Sequence, residues 1–345
     1  MKKKGYLFLP LAMAAAMAVG CAGASASKED GKADGKNAVD ERKTIAYCTL
    51  GVDSDYWYLM ERGVAKACED LGYDYIMQDH KEDEALMVST CQNLLNQDID
   101  GLIVSPIKPE ALPPIVENAH MKEIPVIIGD MGDGDSDDDG LIMSDNYAGG
   151  VMTSSYIRDL FEKEEPASRD YAVVRLQPEA AISQFRCDSA IDVMTEAGYT
   201  CVSDNYSKGG TTEEGLSIMQ DIIAAHPDIC AVFCGNDRLA VGVAQAAKIA
   251  GLNDIKIAGF DADESGIEAL KTEAIACTAQ QFSYDIGYEC VVAIDKLIRG
   301  EAIEYDDEEK KQILVDCAMI TKDDIVENPE DQIISSTGLT RKETD

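Results

Sequence analysis

The chain has 345 residues, 46% of them hydrophobic, which is enough to bury a sizeable core and argues against a disordered body. It carries 65 Asp and Glu against 30 Lys and Arg, a net charge of −35, which argues against nucleic acid as a partner and fits solubility at a cell surface. Its eleven cysteines invite disulfides in an exported protein, but apart from Cys21 they fall in predicted strands and helices, where cysteine reads as a small buried hydrophobe, so mostly free thiols are expected.

The N-terminus reads as an export signal. Lys2–Lys4 is a basic start, and Tyr6–Val19 is apolar but too short and Ala-rich to span a bilayer. Ala18-Val19-Gly20-Cys21 puts small residues before a cysteine, as in a bacterial lipobox. The expectation is a lipoprotein signal peptide over 1–20, acylation of Cys21 as a two-chain anchor, and a flexible tether over 21–43. Cleavage after Ala26, with Cys21 discarded, is the alternative.

Thr44–Leu50 is a predicted strand and Gly51–Asp55 a polar loop. Trp57, Met60, Val64, Ala67 and Leu71 then recur at helical spacing, with Gly72 at the C-cap place, and Tyr75–Met77 is a second strand. This is a β-α-β unit whose first loop carries Asp53, Ser54, Asp55, Tyr56 and Trp57. In an open parallel sheet that loop lies at the carboxyl ends of the strands, where ligands bind.

The alternation continues through a helix over Glu82–Asn96, strands at Gly101–Ser105, Pro125–Gly129 and Leu141–Ser144, and a helix over Tyr147–Phe161. The acidic loop Met131–Gly140 begins like a calcium loop, but its twelfth place is Asn146 rather than Glu, so it reads as a solvated loop. The pattern restarts with strands at Tyr171–Leu176, Thr200–Ser203, Ile229–Cys234, Ile255–Phe260, Ile275–Ala279 and Ile313–Cys317, with helices between them. Val326–Asp345 is expected to be a polar tail. Two successive runs of β-α repeats predict an α/β protein with two doubly wound parallel-sheet lobes.

Asp53, Ser54, Tyr56, Trp57, Ser105, Asp130, the 177–186 loop, Asn236, Asp237, Asp261, Gln280 and Gln281 all follow predicted strands. Aspartates accept from hydroxyls, amides both donate and accept, and aromatic faces cover a sugar ring, which together suit a neutral polyol. The competing reading is that Asp and Asn at these junctions merely cap helices. Three histidines and no nucleophile elbow, P-loop, zinc or dinucleotide motif argue against an enzyme, and Cys230-x3-Cys234 is not a zinc spacing, so no cofactor or metal is expected.

Five segments carry a resemblance: Gly101-Leu-Ile-Val-Ser-Pro106, Pro125-Val-Ile-Ile-Gly-Asp130, Ser144-Asp-Asn-Tyr-Ala-Gly-Gly150, Ala231-Val-Phe-Cys-Gly-Asn-Asp237 and Ile257-Ala-Gly-Phe-Asp261. In order and spacing they resemble the type I periplasmic sugar-binding proteins, the ribose/galactose-binding group, whose fold is shared by the effector domains of lactose-repressor-like regulators. The resemblance implies lobes over 44–145 plus 282–312 and 146–281 plus 313–321, a three-segment hinge, and a tail over 322–345. It implies a monomer that closes on a monosaccharide or similar polyol and delivers it to an ABC permease. A membrane sensor as receiver and a nucleoside-like cargo are the alternatives.

Carried over by position, Tyr56 and Trp57 cover the ring, Asp130 binds hydroxyls, and Asn236, Asp261 and Gln281 line the other side. Two positions depart. Met131 stands where ribose-binding members have an arginine, and Gln184 where they have a second, leaving Arg186 as binder or as a structural ion pair. Losing two arginines removes fixed donors and points away from ribose itself. Asp53 and Asp55 add acceptors at the mouth.

Overall fold

Ser54 starts the first helix. Its hydroxyl accepts from the Trp57 amide, and Gly72, in the left-handed region at φ 79°, ends that helix. The flanking strands, β1 (Thr44–Thr49) and β2 (Asp74–Asp79), pair in parallel across the helix α1 (Asp55–Leu71). The computed structural model describes residues 42–178 and 180–344, and those from Arg42 onward belong to one unit. The expected signal peptide, Cys21 and most of the expected tether lie outside the described residues. Within them, no helix is long and apolar enough to cross a membrane.

The first lobe continues with α2 (Glu84–Leu94), β3 (Gly101–Val104), α3 (Pro113–His120), β4 (Val126–Gly129) and β5 (Gly140–Ser144). Its inner strands β1, β3, β4 and β5 are buried on both faces, as a parallel sheet covered by helices requires, while the edge strand β2 is part-exposed. Alternate residues feed two cores. Ala46, Leu102 and Ile128 face α2 and α3, while Ile45, Tyr47, Ile103 and Ile127 face α1 and a late helix, α9 (Ser283–Ile298). A Cβ at Gly63 would lie 2.0 Å from the Tyr284 carbonyl oxygen, and one at Gly287 2.0 Å from that of Met60. Glycine at both places lets α1 and α9 pack backbone to backbone.

The second lobe runs α4 (Asn146–Lys163), β6 (Asp170–Arg175), α5 (Ala181–Glu196), β7 (Thr200–Tyr206), α6 (Thr212–Ala225), β8 (Ala231–Cys234), α7 (Asp237–Ala250), β9 (Lys256–Ala258) and α8 (Glu264–Lys271). Its four strands lie parallel in the order β7-β6-β8-β9. β10 (Thr278–Gln281) continues from this sheet through parallel bridges at Ala258–Cys277 and Asp261–Gln280.

The last predicted strand divides at Asp316, which corrects one boundary. β11 (Gln312–Val315) joins the first sheet beside β5, giving the order β11-β5-β4-β3-β1-β2, and β12 (Cys317–Ile320) pairs antiparallel with β10. Residues 313–315 therefore belong with the first lobe. An apolar run has the same periodicity whichever sheet it joins, and here Val315 packs into the core that holds Ile45 and Ile103. The chain thus passes between the sheets at Asp145, at 281–283 and at Asp316.

The C-terminal segment is also not a free tail. Ile334 is 1% exposed and packs with Leu59 and Tyr284. All ten described cysteines are free thiols, nine of them buried. In the acidic loop, Asp138 accepts from Ser136 and Gly140, Asp139 from His120 and Val126, and Asp137 pairs with Lys311. Among the described residues no group of three or more His, Cys, Asp or Glu is placed to hold a metal.

Candidate ligand-binding cleft

A cleft of about 480 Å³ opens where the carboxyl ends of the two parallel sheets meet. That volume is within the usual range for small-ligand sites. Ser54, Tyr56, Trp57, Asp130 and Met131 line it from the first lobe, and Arg186, Asn236, Asp261 and Gln281 from the second lobe and the hinge strand.

The first-lobe wall begins with the capped turn of α1. Tyr56 and Trp57 stand edge to face, 4.9 Å between ring centroids at 83°. Asp130 follows β4 directly, with its backbone in the left-handed region at φ 74° and its amide donating to the Ile142 carbonyl at 2.8 Å. It is 4% exposed, and its Oδ1 and the Tyr56 hydroxyl are both buried without a hydrogen-bond partner. Burial pushes the Asp130 carboxyl up to about 6, although Tyr56 and Arg186 pull the other way. The Tyr56 hydroxyl lies near enough to lower the Asp130 pKa as a hydrogen bond would, so the two groups are neighbours in the cleft wall without a well-formed bond between them, an uncommon state for buried polar atoms.

The opposite wall is already paired. Asp261 follows β9 by three residues, also at positive φ (102°). Its Oδ1 accepts from Arg186 Nη1 at 2.9 Å and from Gln281 Nε2 at 2.8 Å. Burial raises its carboxyl pKa and the Arg186 charge holds it back. The buried Arg186 guanidinium lies 3.8 Å from the centroid of Phe260, and donates to Asn146 Oδ1 at 2.7 Å and to the Gly235 carbonyl at 2.8 Å. Arg186 is therefore both a lining residue and an ion-pair partner.

The capping alternative wins at some positions. Ser54 caps α1. Asn236 caps α7 through Oδ1 at 2.9 Å from the Leu239 amide, and its Nδ2 donates to the Gly210 carbonyl at 3.1 Å, leaving one amide hydrogen for the cleft. Asp130, Asp261 and Gln281 cap nothing.

Four expected residues are not in the wall: Ser105 is buried against the Tyr47 hydroxyl, Asp237 accepts from the Thr278 hydroxyl and the Asp263 amide, and Asp53 and Gln184 lie elsewhere. Asp53 is exposed outside the cleft. Gln184 turns away because the buried Arg175 needs acceptors. Its Oε1 takes Arg175 Nη1 at 3.0 Å and the Tyr206 hydroxyl at 3.2 Å, while Asp204 and Asp188 complete the cage. Asp55 does line the cleft, but its carboxylate is held by Arg341.

Arg238, Gln332 and the apolar Leu176 line the cleft without having been expected there, while Gln177 and Ile182 come from the expected 177–186 loop. Arg238 follows Asn236-Asp237 and was within reach of the strand-end argument. Nothing in the local sequence marks Gln332. Other surface hollows are of similar or larger volume, such as one lined by Arg158, Glu162, Glu165 and Arg169, but none contains the orphaned pair.

Two doubly wound sheets, three crossings and a cleft at the strand ends define a bilobal binding protein. The chain belongs to the periplasmic binding protein family, whose domain profile matches residues 45–302. It is similar to the ribose import binding protein of Salmonella typhimurium, at 28% identity over 265 residues, covering 76% of this chain and 87% of the relative. It is also similar to a xylitol-binding protein of Mycolicibacterium smegmatis, at 26% identity over 304 residues, covering 86% and 82%. Among solved structures, the periplasmic ribose ABC transporter of Conexibacter woesei superposes with a TM-score of 0.74 at 25% identity, over 82% of this chain and 93% of that one.

Proposed function

We propose that the chain captures a neutral monosaccharide or similar small polyol between its lobes and presents it to an ABC permease, as a monomer tethered to the membrane through acylated Cys21. The observation that carries this reading is the orphaned pair, the Tyr56 hydroxyl and Asp130 Oδ1, beside Trp57 and across from Asp261. A hydroxyl on the ligand satisfies both atoms, and the indole covers the C–H face of a ring. Four aspartates line the cleft; Asp55 is paired with Arg341, and Asp130, Asp261 and Asp263 stand with two arginines, Arg186 and Arg238, a slight excess of acid that disfavours an anion. The absence of an arginine at Met131 supports a pentose, hexose or polyol other than the one for which that arginine is built.

We read the role as capture rather than turnover. Trp57 is the sole tryptophan, so its fluorescence reports the site. Titration with D-ribose, D-allose, D-arabinose, xylitol and myo-inositol should shift its emission and raise the melting temperature for at least one of them. Asp261→Ala should abolish both responses. The reading fails if no sugar produces a shift, if Asp261→Ala binds as tightly as the parent, or if a sugar is released chemically altered.

A further inference from the structure

The C-terminal segment from Asn328 to Thr344 crosses the first-lobe side of the cleft. It lies beyond residues 45–302, which the family profile matches. Its fold is local: Ile333 and Thr340 form an antiparallel bridge, the Ile334 amide donates to the Leu339 carbonyl at 2.8 Å, and Asp331 pairs with Lys342 at 2.6 Å. Its attachment is to the elements that build the site. Ile334 is buried against Leu59 of α1 and Tyr284 of α9, and the Ser336 amide donates to Asp285 at 2.6 Å. Arg341 donates through both terminal nitrogens to Asp55, one residue ahead of Tyr56, and Arg62 donates to the Thr344 carbonyl. Gln280 of the hinge strand donates to the Ile333 carbonyl at 2.6 Å.

Gln332 sits where this strap meets the cleft. Its amide donates to the Pro329 carbonyl at 3.1 Å and its carbonyl accepts from Arg341 at 3.0 Å. The backbone is thereby fixed, and the half-buried side chain is left facing the ligand space that it lines.

We propose that this strap is a third wall of the ligand site, in which Gln332 is a specificity-determining residue that hydrogen-bonds a hydroxyl of the captured sugar, and Arg341 is a positioning residue that fixes the Tyr56-Trp57 turn through Asp55. The inference rests on the cleft being a sugar site. A primary amide both donates and accepts, as a hydroxyl requires. Arg341 holds the carboxylate of Asp55 in a fork of two parallel bonds, which sets direction as well as distance. The adjacent glutamines of the hinge strand divide the work, Gln280 on the strap and Gln281 on Asp261.

The test uses the full chain and the same five sugars. Gln332→Leu should keep the melting temperature of the empty protein, because only the side-chain amide is lost. It should weaken the best-bound sugar about tenfold, the value of one net hydrogen bond, and change the order of preference among the five. Arg341→Ala should weaken all bound sugars together and increase acrylamide quenching of Trp57 without ligand, with partial recovery in Arg341→Lys. If Gln332→Leu binds every sugar within about twofold of the parent while Asp261→Ala binds none, the strap is not part of the site and the capture reading stands. Unchanged Trp57 quenching in Arg341→Ala removes the positioning role. If the parent binds no sugar, both readings fall.

Discussion

Arg186→Met removes the one cation that, among the described residues, faces Asp261 at hydrogen-bond distance, and keeps the apolar contact with Phe260. Arg186 is 4% exposed and donates to Asn146, Gly235 and Asp261, so its loss strands two neutral acceptors and leaves the carboxylate with Gln281 alone. Breaking a buried pair by removing one partner costs about 3–5 kcal/mol, mostly because of the charge left behind. The Asp261 side chain is 31% exposed, so water reaches it in part and the lower end applies. A loss of about 3 kcal/mol corresponds to a fall of roughly 4–5 °C in a chain this long. Denaturant titration and calorimetry on Arg186→Met, Asp261→Asn and the double variant give the coupling. In the double variant the stranded charge is gone, so its loss should be smaller than the sum of the singles by about 1–3 kcal/mol. Strictly additive losses, or a stable Arg186→Met that still binds sugar at parental affinity, would refute the reasoning.

Two other perturbations follow from the geometry. The Asp130 carboxyl in the empty protein is raised to about 6 by burial, while a bound hydroxyl needs it ionised, so sugar affinity should fall as pH drops through 6, nearing tenfold per unit. For folding of the empty protein the sign is opposite: the term from Asp130 is fully present below the unfolded value near 3.8 and is lost as pH rises through about 6. Calorimetric titrations from pH 7.5 to 5 with the parent and Asp130→Asn check both, and a flat parental affinity profile removes Asp130 from the contact set. Gly63→Ala puts a methyl 2.0 Å from the Tyr284 carbonyl oxygen, so α1 and α9 must part at a cost of about 1–3 kcal/mol. An unchanged melting temperature would mean that the two helices are not in backbone contact.

The α/β alternation was legible because fully buried strands and one-sided helices have different periods, and the caps at Ser54, Asp145, Asn236 and Asp263 stand where a side-chain oxygen meets a free amide. Asp130 and Asp261 were legible as strand-end acids. Gln184 was misplaced because nothing in its neighbourhood says that Arg175, nine residues earlier, is buried and needs an acceptor there. The site of β11 was not legible because pairing partners are set by tertiary packing. The strap was missed because Ile334 and Leu339 carry its apolar packing, and its remaining anchors are polar groups and backbone that pattern reading assigns to solvent.

The two lobes present their aspartates in unlike states, and the difference has a mechanical consequence. Asp130 and Asp261 end equivalent strands with positive φ, at 74° and 102°, a conformation that costs about 1–3 kcal/mol for a residue with a side chain and persists only where its surroundings enforce it. Asp261 is held before any ligand arrives, by Arg186 from its own lobe and by Gln281 from the strand that crosses to α9. Asp130 Oδ1 is open. A sugar that bonds Asp130 while contacting Asp261 therefore joins a free acceptor on one lobe to a network already fastened to the crossing strand. Its differential affinity for the closed arrangement comes chiefly from Asp130 and Tyr56, whose polar atoms have no well-formed hydrogen bond among the described residues. On this argument Asp261→Asn should weaken binding yet preserve the Trp57 response at saturation, whereas Asp130→Asn should reduce that response itself. The reverse pattern in fluorescence titrations would place the closing contact on the second lobe.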